Sequence, residues 1–147
     1  MTVLRMDHVS VVVEDLATAT AFFEALGLEV EGTAPIEGEW VDRINGISDL
    51  RCDIVMMRTA DGHGKLELTG FRNPPPVTPQ PDNAMSNVLG LRSVMFAVDD
   101  LEATVDRLRE HGGELIGEIV QYEHSYRLCY MRGPAGTIVA LAKPLAE

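Results

Sequence analysis

The sequence predicts a protein of the α+β class, built from one strand–helix–three-strand unit that occurs twice. The segment Met6–Leu16 matches the segment Leu91–Leu101 at a shift of 85 positions, because each is an apolar run that ends in an acidic pair and a leucine. After each segment, apolar residues recur first at helical spacing and then in short runs typical of strands. The 147 residues are therefore expected to form a single domain of two modules, residues 5–72 and 89–145.

The predicted helices begin and end at equivalent positions. Asp15 and Asp100 can each accept a backbone N–H as the helix cap. Gly27 and Gly112 suit the left-handed backbone that ends a helix. Three strands are expected after each helix, at 28–32, 52–58 and 65–71 in the first module and at 114–121, 126–132 and 137–142 in the second.

A proline-rich segment, residues 73–88, separates the modules. Its prolines cannot donate to a sheet and favour an extended polyproline conformation. The segment is either an inert linker or a spacer long enough for one module to pair with a second chain.

Charge and hydropathy exclude several classes of partner. The formal charge is −11, from 23 acidic and 12 basic residues, so nucleic acids and anionic lipids are repelled. No apolar stretch approaches the roughly 20 residues needed to cross a membrane, and the N-terminus lacks a secretory pattern. We therefore expect a cytoplasmic protein, with Cys52 and Cys129 reduced and buried.

The acidic pair after a strand, the short helix, the three strands and the repetition of this unit resemble one known family. It is the vicinal oxygen chelate superfamily, which groups glyoxalases, bleomycin resistance proteins and dioxygenases. The resemblance implies two βαβββ modules whose mixed sheets curve into a cup around a divalent metal and a small oxygen-rich substrate. It also implies four ligand positions, on the first and last strand of each module.

Two of these four positions carry residues that bind metals. The first module offers His8 and Glu67, and imidazole and carboxylate groups suit Zn, Ni, Co, Mn or Fe. The second module has Ser93 and Ala140 at the equivalent positions. The dioxygenase chemistry of the family, which needs two histidines and one carboxylate, is therefore not expected.

The segment 122–130 supplies further candidates. Tyr126 and Tyr130 share one face of a predicted strand and Arg127 the other, so either set could bind substrate inside the cup. Glu123 or His124 could replace a missing ligand from the preceding loop, and Glu123 could also act as a catalytic base beside Glu67.

Ser93 and Trp40 complete the substrate-binding candidates. Trp40, Val41 and Ile44 share one face of a predicted helix that has no counterpart in the second module. This helix is either a lid over the substrate or a part of the core.

Two functions fit these observations. The first is a metal-dependent isomerase, epimerase or lyase, resembling glyoxalase I or methylmalonyl-CoA epimerase, in which Glu67 moves a proton next to the chelated oxygens. The alternative is a metal-free binding protein that sequesters a small molecule, for which the acidic charge favours a cationic guest. Because the half-cups of this family commonly pair across chains, we also expect a homodimer.

Overall fold

The computed structural model describes residues 1–79 and 82–145. The chain divides into two compact units, residues 1–77 and 78–147, and each unit holds one four-stranded mixed sheet. The predicted α+β class with two βαβββ modules is confirmed.

The elements of the first unit are β1 (Val9–Val12), α1 (Leu16–Leu26), β2 (Glu29–Glu37), α2 (Glu39–Asn45), β3 (Arg51–Arg58) and β4 (Lys65–Asn73). Those of the second unit are β5 (Ser93–Ala97), α3 (Leu101–Glu110), β6 (Glu114–Tyr122), β7 (Tyr126–Arg132) and β8 (Ile138–Pro144).

Both sheets have the same topology. The strand order is β1-β4-β3-β2 in the first unit and β5-β8-β7-β6 in the second. In each sheet the first strand runs parallel to the last, and the other neighbours are antiparallel. The repeat seen in the sequence is therefore a repeat of structure.

The helix caps follow the acidic pairs. Asp15 accepts a 3.0 Å hydrogen bond from the backbone N–H of Thr18, and Asp100 accepts one of 3.0 Å from Ala103. In each pair the second acidic residue is the cap. Gly27 ends α1 in the left-handed conformation, whereas His111 ends α3 and the left-handed residue is Gly112.

Each long helix covers one face of its own sheet. Phe22 and Phe23 of α1 are buried, as are Leu66 and Leu68 of β4. A Cβ atom added at Gly70 would lie 3.0 Å from the Leu16 side chain of α1. Since β4 alternates, the residues at 66, 68 and 70 face α1 and those at 65, 67 and 69 face away from it. We call the face opposite α1 or α3 the inner face of the sheet.

Several strands are longer than predicted. β2 was expected at 28–32 but continues to Glu37, because after a bulge between Val30 and Gly32 it keeps pairing with β3. The continuation includes Pro35, which an edge strand tolerates because one side of that strand needs no N–H donor. β4 and β8 each extend two residues beyond the predicted ends, to Asn73 and Pro144.

The helix α2 packs on the inner face of the first sheet. Val41 of α2 forms a buried cluster with Leu50 and Cys52, to which Ile54 and Phe71 add apolar surface. Because Phe71 lies two and four residues beyond Thr69 and Glu67 on β4, the cluster covers one end of their face. Trp40 and Ile44, which were predicted to share a face with Val41, are 60% and 76% exposed.

The segment between the modules begins with Asn73, the last residue of β4, and the rest of its described part has no strand or helix. Gln80 and Pro81, within the predicted linker, lie outside the described residues. In the second unit, Arg132 donates 2.9 and 3.0 Å hydrogen bonds to the carbonyl oxygens of Ala84 and Gly136. These bonds tie the end of the segment to the turn before β8. Among residues 1–79 and 82–145, none of the helices combines the length and apolarity that crossing a membrane requires.

Removing the cap of α3 should destabilise the protein. We expect Asp100→Ala to lower the free energy of unfolding by about 1 kcal/mol, because the Ala103 N–H loses its acceptor. Asp99→Ala removes the same charge from the neighbouring residue and should change stability much less. Urea denaturation measures both variants, and equal losses would contradict the assigned cap.

Candidate functional site

The inner face of the first sheet brings His8 and Glu67 together. His8 directly precedes β1, and Glu67 lies in β4, which pairs with β1 in parallel. The His8 Nε2 atom is 3.7 Å from Glu67 Oε2. Both side chains are partly exposed, at 31% and 23%. The pair is therefore accessible to a small molecule.

Two hydroxyl groups hold the Glu67 carboxylate. Ser10 lies directly opposite Glu67 in the β1–β4 register and donates a 3.0 Å hydrogen bond to Oε1. Thr69, two residues along β4 on the same face, donates a 3.4 Å bond to the same oxygen. With Oε1 bonded to hydroxyls, Oε2 is the oxygen that faces His8.

A second carboxylate holds the His8 ring. The Asp7 Oδ2 atom is 2.8 Å from His8 Nδ1, and the Asp7 Oδ1 atom accepts a 3.1 Å hydrogen bond from Arg5. The hydrogen bonds with His8 and then Arg5 lower the pKa of Asp7. Asp7, Ser10 and Thr69 were not among the predicted site residues, although their positions beside His8 and Glu67 in sequence were a usable signal.

Paired charges lie on one side of the His8–Glu67 pair. Lys65, on the same face of β4, is 3.1 Å from a carboxylate oxygen of Glu31. Arg58, opposite Lys65 on β3, is 3.4 Å from Glu29. Each cation has an acidic partner, so this end of the face carries little net charge.

The apolar cluster under α2 bounds the other side. Phe71 is four residues beyond Glu67 on β4, which corresponds to about 13 Å along the strand. Thr69 lies between Glu67 and Phe71 on β4. Its neighbours on the adjacent strands are Val12, which is exposed, and Ile54, which is partly buried. The polar site therefore occupies a short stretch of the inner face.

The second sheet has different residues at the equivalent positions. Met95 opposes Ala140 in the β5–β8 register, as Ser10 opposes Glu67 in the first sheet. Ser93, the counterpart of His8, is exposed on β5. No imidazole or carboxylate therefore occurs at these two matching positions of the second inner face.

The inner face of the second sheet forms an apolar concavity of about 550 Å³. Its lining residues are Met95, Ala97, Tyr126, Leu128, Ala142 and Pro144. The small side chains of Ala97 on β5 and Ala142 on β8 leave space, and Tyr126 supplies an aromatic ring with a hydroxyl group. The surface suits an apolar or aromatic group of a small molecule.

The contacts of Arg127 show which face of β7 the helix α3 covers. Arg127 donates hydrogen bonds to both carboxylate oxygens of Glu102 on α3, so its side chain lies on the helix-covered face. These bonds also raise the pKa of Arg127 and lower that of Glu102. By alternation, Tyr126 and Tyr130 lie on the inner face. Of the three candidates on β7, Tyr126 lines the concavity, whereas Tyr130 lies on the same face but is not one of the lining residues.

The remaining candidates lie in exposed segments. Glu123 and His124 occupy the turn between β6 and β7 of the second unit, where Glu123 has a positive φ of 51°. Trp40 lies on α2 with most of its side chain exposed. None of these three is a neighbour of Glu67 along a strand.

Neither cysteine contributes a reactive group. Cys52 and Cys129 are both buried free thiols. Burial is the main cause that raises the pKa of each thiol, with a further contribution from the charge of Glu67 for Cys52 and of Glu102 for Cys129. A raised pKa keeps a thiol protonated and therefore poorly nucleophilic.

Comparisons with known proteins identify the family. The duplicated α+β architecture defines a class of protein with two related βαβββ modules. The His8–Glu67 pair is a candidate site on the first of these modules. A family model, the glyoxalase/bleomycin resistance protein/dioxygenase superfamily, matches residues 5–141. The chain belongs to this superfamily, and the resemblance read from the sequence is confirmed.

Solved structures show the same fold. A glyoxalase family protein from Bacillus cereus is 49% identical, with a TM-score of 0.94 over 99% of this chain and 97% of that chain. A glyoxalase/dioxygenase from Nostoc punctiforme is 17% identical, with a TM-score of 0.68 over 97% and 92%. TnmS3, an antibiotic binding protein from Streptomyces sp. CB03234, is 21% identical, with a TM-score of 0.59 over 95% and 97%. None of the curated proteins compared matches the chain significantly.

The donor geometry of His8 and Glu67 fits a shared divalent ion. Nitrogen and oxygen ligands lie about 2.1 Å from such an ion, so two of them stand at most about 4.2 Å apart. The observed 3.7 Å satisfies this limit. A histidine whose other nitrogen binds a carboxylate is also the usual arrangement behind a metal ligand. Within residues 1–79 and 82–145, no group of three His, Cys, Asp or Glu side chains lies close enough together to hold a metal ion.

Proposed function

We propose that the chain is a metal-dependent isomerase, epimerase or lyase that acts on a small, oxygen-rich substrate. His8 and Glu67 would hold a divalent ion, Zn, Ni, Co, Mn or Fe. The observation that carries the proposal is the 3.7 Å approach of His8 Nε2 to Glu67 Oε2, with each side chain held from behind by its own hydrogen bonds. Such an ion, when bound, polarises two vicinal substrate oxygens as a Lewis acid.

The residues of the chain supply binding and proton transfer. Because His8 and Glu67 are only two side chains, they would leave room at a bound ion for a substrate with two adjacent oxygens. Glu67 is our first candidate for the base, because Ser10 and Thr69 occupy Oε1 and direct Oε2 toward the site. Glu123 stays the second candidate. A carboxylate held by two hydroxyls keeps its orientation while the proton moves.

The short polar stretch supports a small substrate. The ion pairs of Lys65 and Arg58 lie on one side of Glu67 and the cluster under α2 on the other. In the second unit, Ser93, Tyr126 and Tyr130 remain the substrate-binding candidates of the inner face, while His124 remains a candidate third ligand. The predicted homodimer and cytoplasmic location also stay predictions.

Metal content tests the proposed site. We expect the protein purified without chelators to bind one equivalent of Ni²⁺ or Zn²⁺, and His8→Ala and Glu67→Gln to lower the affinity at least tenfold, since each removes one of two protein ligands. His63→Ala and Glu24→Gln change exposed residues of the same unit and should bind as the original chain does. Elemental analysis and titration calorimetry measure these values. Equal, trace metal in all five proteins would overturn the proposed site.

Proton transfer can be tested without knowing the substrate. We expect the metal-loaded protein to exchange a C–H proton next to a carbonyl with solvent deuterium in some member of a panel of 2-oxo and 2-hydroxy carbonyl compounds. Nuclear magnetic resonance in D₂O follows the loss of that proton signal. At a metal concentration that saturates the variant, Glu67→Gln should abolish the exchange because the amide cannot accept the proton. Exchange that proceeds equally in Glu67→Gln would exclude Glu67 as the base and favour Glu123.

One observation favours a second function, a metal-free binding protein. The inner face of the second sheet replaces both ligand positions with Ser93 and Ala140 and forms the apolar concavity. A ligand that binds there should raise the melting temperature in the presence of a chelator. Met95→Glu should remove that shift by placing a charge on the lining, whereas Leu91→Glu changes an exposed apolar residue outside it. Thermal-shift screening would reject this function if every stabilising compound requires metal and His8.

A further inference from the structure

Asp7 and Arg5 form a chain of hydrogen bonds that ends at the His8 ring. Arg5 Nη2 donates to Asp7 Oδ1 at 3.1 Å, and Asp7 Oδ2 lies 2.8 Å from His8 Nδ1. An ionised carboxylate only accepts hydrogen bonds. The short contact therefore requires Nδ1 of His8 to carry a proton, whatever the state of the other nitrogen.

Within the described residues, the other nitrogen of His8 has an ionic neighbour, Glu67, but no hydrogen-bond partner. Its distance of 3.7 Å to Glu67 Oε2 exceeds the length of a hydrogen bond. In a neutral imidazole with the proton on Nδ1, the Nε2 atom presents a lone pair. Nε2 is the ring nitrogen that lies near Glu67, at 3.7 Å from Oε2.

We propose that Asp7 is a positioning residue that selects the Nδ1–H tautomer of His8 and so directs the Nε2 lone pair toward Glu67. Arg5 orients Asp7 by occupying its second oxygen. The use of Nε2 to bind a metal ion rests on the proposed function, whereas the tautomer does not. Asp7 acts through His8, since its own carboxylate contacts Nδ1 and Arg5.

The exposure of His8 makes this support necessary. His8 precedes the first paired residue of β1, and its side chain is 31% exposed. Backbone pairing alone does not fix a ring at the end of an edge strand. The hydrogen bond to Asp7 fixes both the rotation of the ring and the site of its proton.

The tautomer is measurable by nitrogen nuclear magnetic resonance on the metal-free chain. The protein has four histidines, and comparison with His8→Gln assigns the signals of His8. At a pH where the imidazole is neutral, we expect the Nδ1–H form for His8 in the original chain. Asp7→Ala should shift the population toward Nε2–H, with Asp7→Asn between the two because its amide oxygen still accepts. Glu14→Ala, which removes an exposed acidic residue elsewhere in the unit, should leave the signals of His8 unchanged.

Metal affinity gives a second test of the role of Asp7. We expect Asp7→Ala to weaken Ni²⁺ binding by about 10- to 100-fold, as loss of such a partner does at other metal-bound histidines. An Nε2–H form of the neutral His8 ring in the original chain, or a tautomer unchanged by Asp7→Ala, would overturn the proposal. A shifted tautomer in a chain that binds no metal at all would preserve the role of Asp7 and refute the proposed metal-dependent function. Those two failures are thus distinguishable.

Discussion

The parallel pairing of β1 with β4 is the interaction on which the candidate site depends. It places Ser10 opposite Glu67 and buried Val11 opposite buried Leu68. A slip of one residue would turn Val11 to the inner face and Ser10 into the core under α1, and the cost of that exchange specifies the register. The apolar residues of a four-residue strand therefore determine where the polar ones lie. His8, directly before the strand, takes its position from the same pairing.

Comparison of the two units shows that the backbone determines the strand order and the side chains determine the character of the inner face. Both units pair their first and last strands in parallel and cover one face with a capped helix. On the inner face, the first unit has Ser10 and Glu67 where the second has Met95 and Ala140. One topology thus presents a polar site in the first unit and an apolar concavity in the second. The two units therefore differ in a few side chains placed on a repeated scaffold.

Sequence periodicity predicted the features that depend on neighbours along the chain. The two modules, the caps at Asp15 and Asp100 and the separation of Glu67 from Leu66 and Leu68 follow from local patterns. The features that depend on distant contacts were not predictable in this way. β2 continues past Gly32 because β3 pairs with it, and Arg127 turns to α3 because Glu102 lies there. The alternation of side chains along β7 predicted which residues share a face, but it did not predict which face α3 covers.

The second unit also shows that the fold does not require the polar pair. A partly exposed imidazole and carboxylate contribute little to stability, and apolar residues commonly replace such a pair without loss. Met95 and Ala140 occupy the matching positions, and the sheet around them has the same order and directions. Stability therefore does not explain why His8, Ser10 and Glu67 stand together on the first sheet. Their hydrogen bonds orient a nitrogen and an oxygen toward one point, which is the arrangement that binding a metal ion or moving a proton demands.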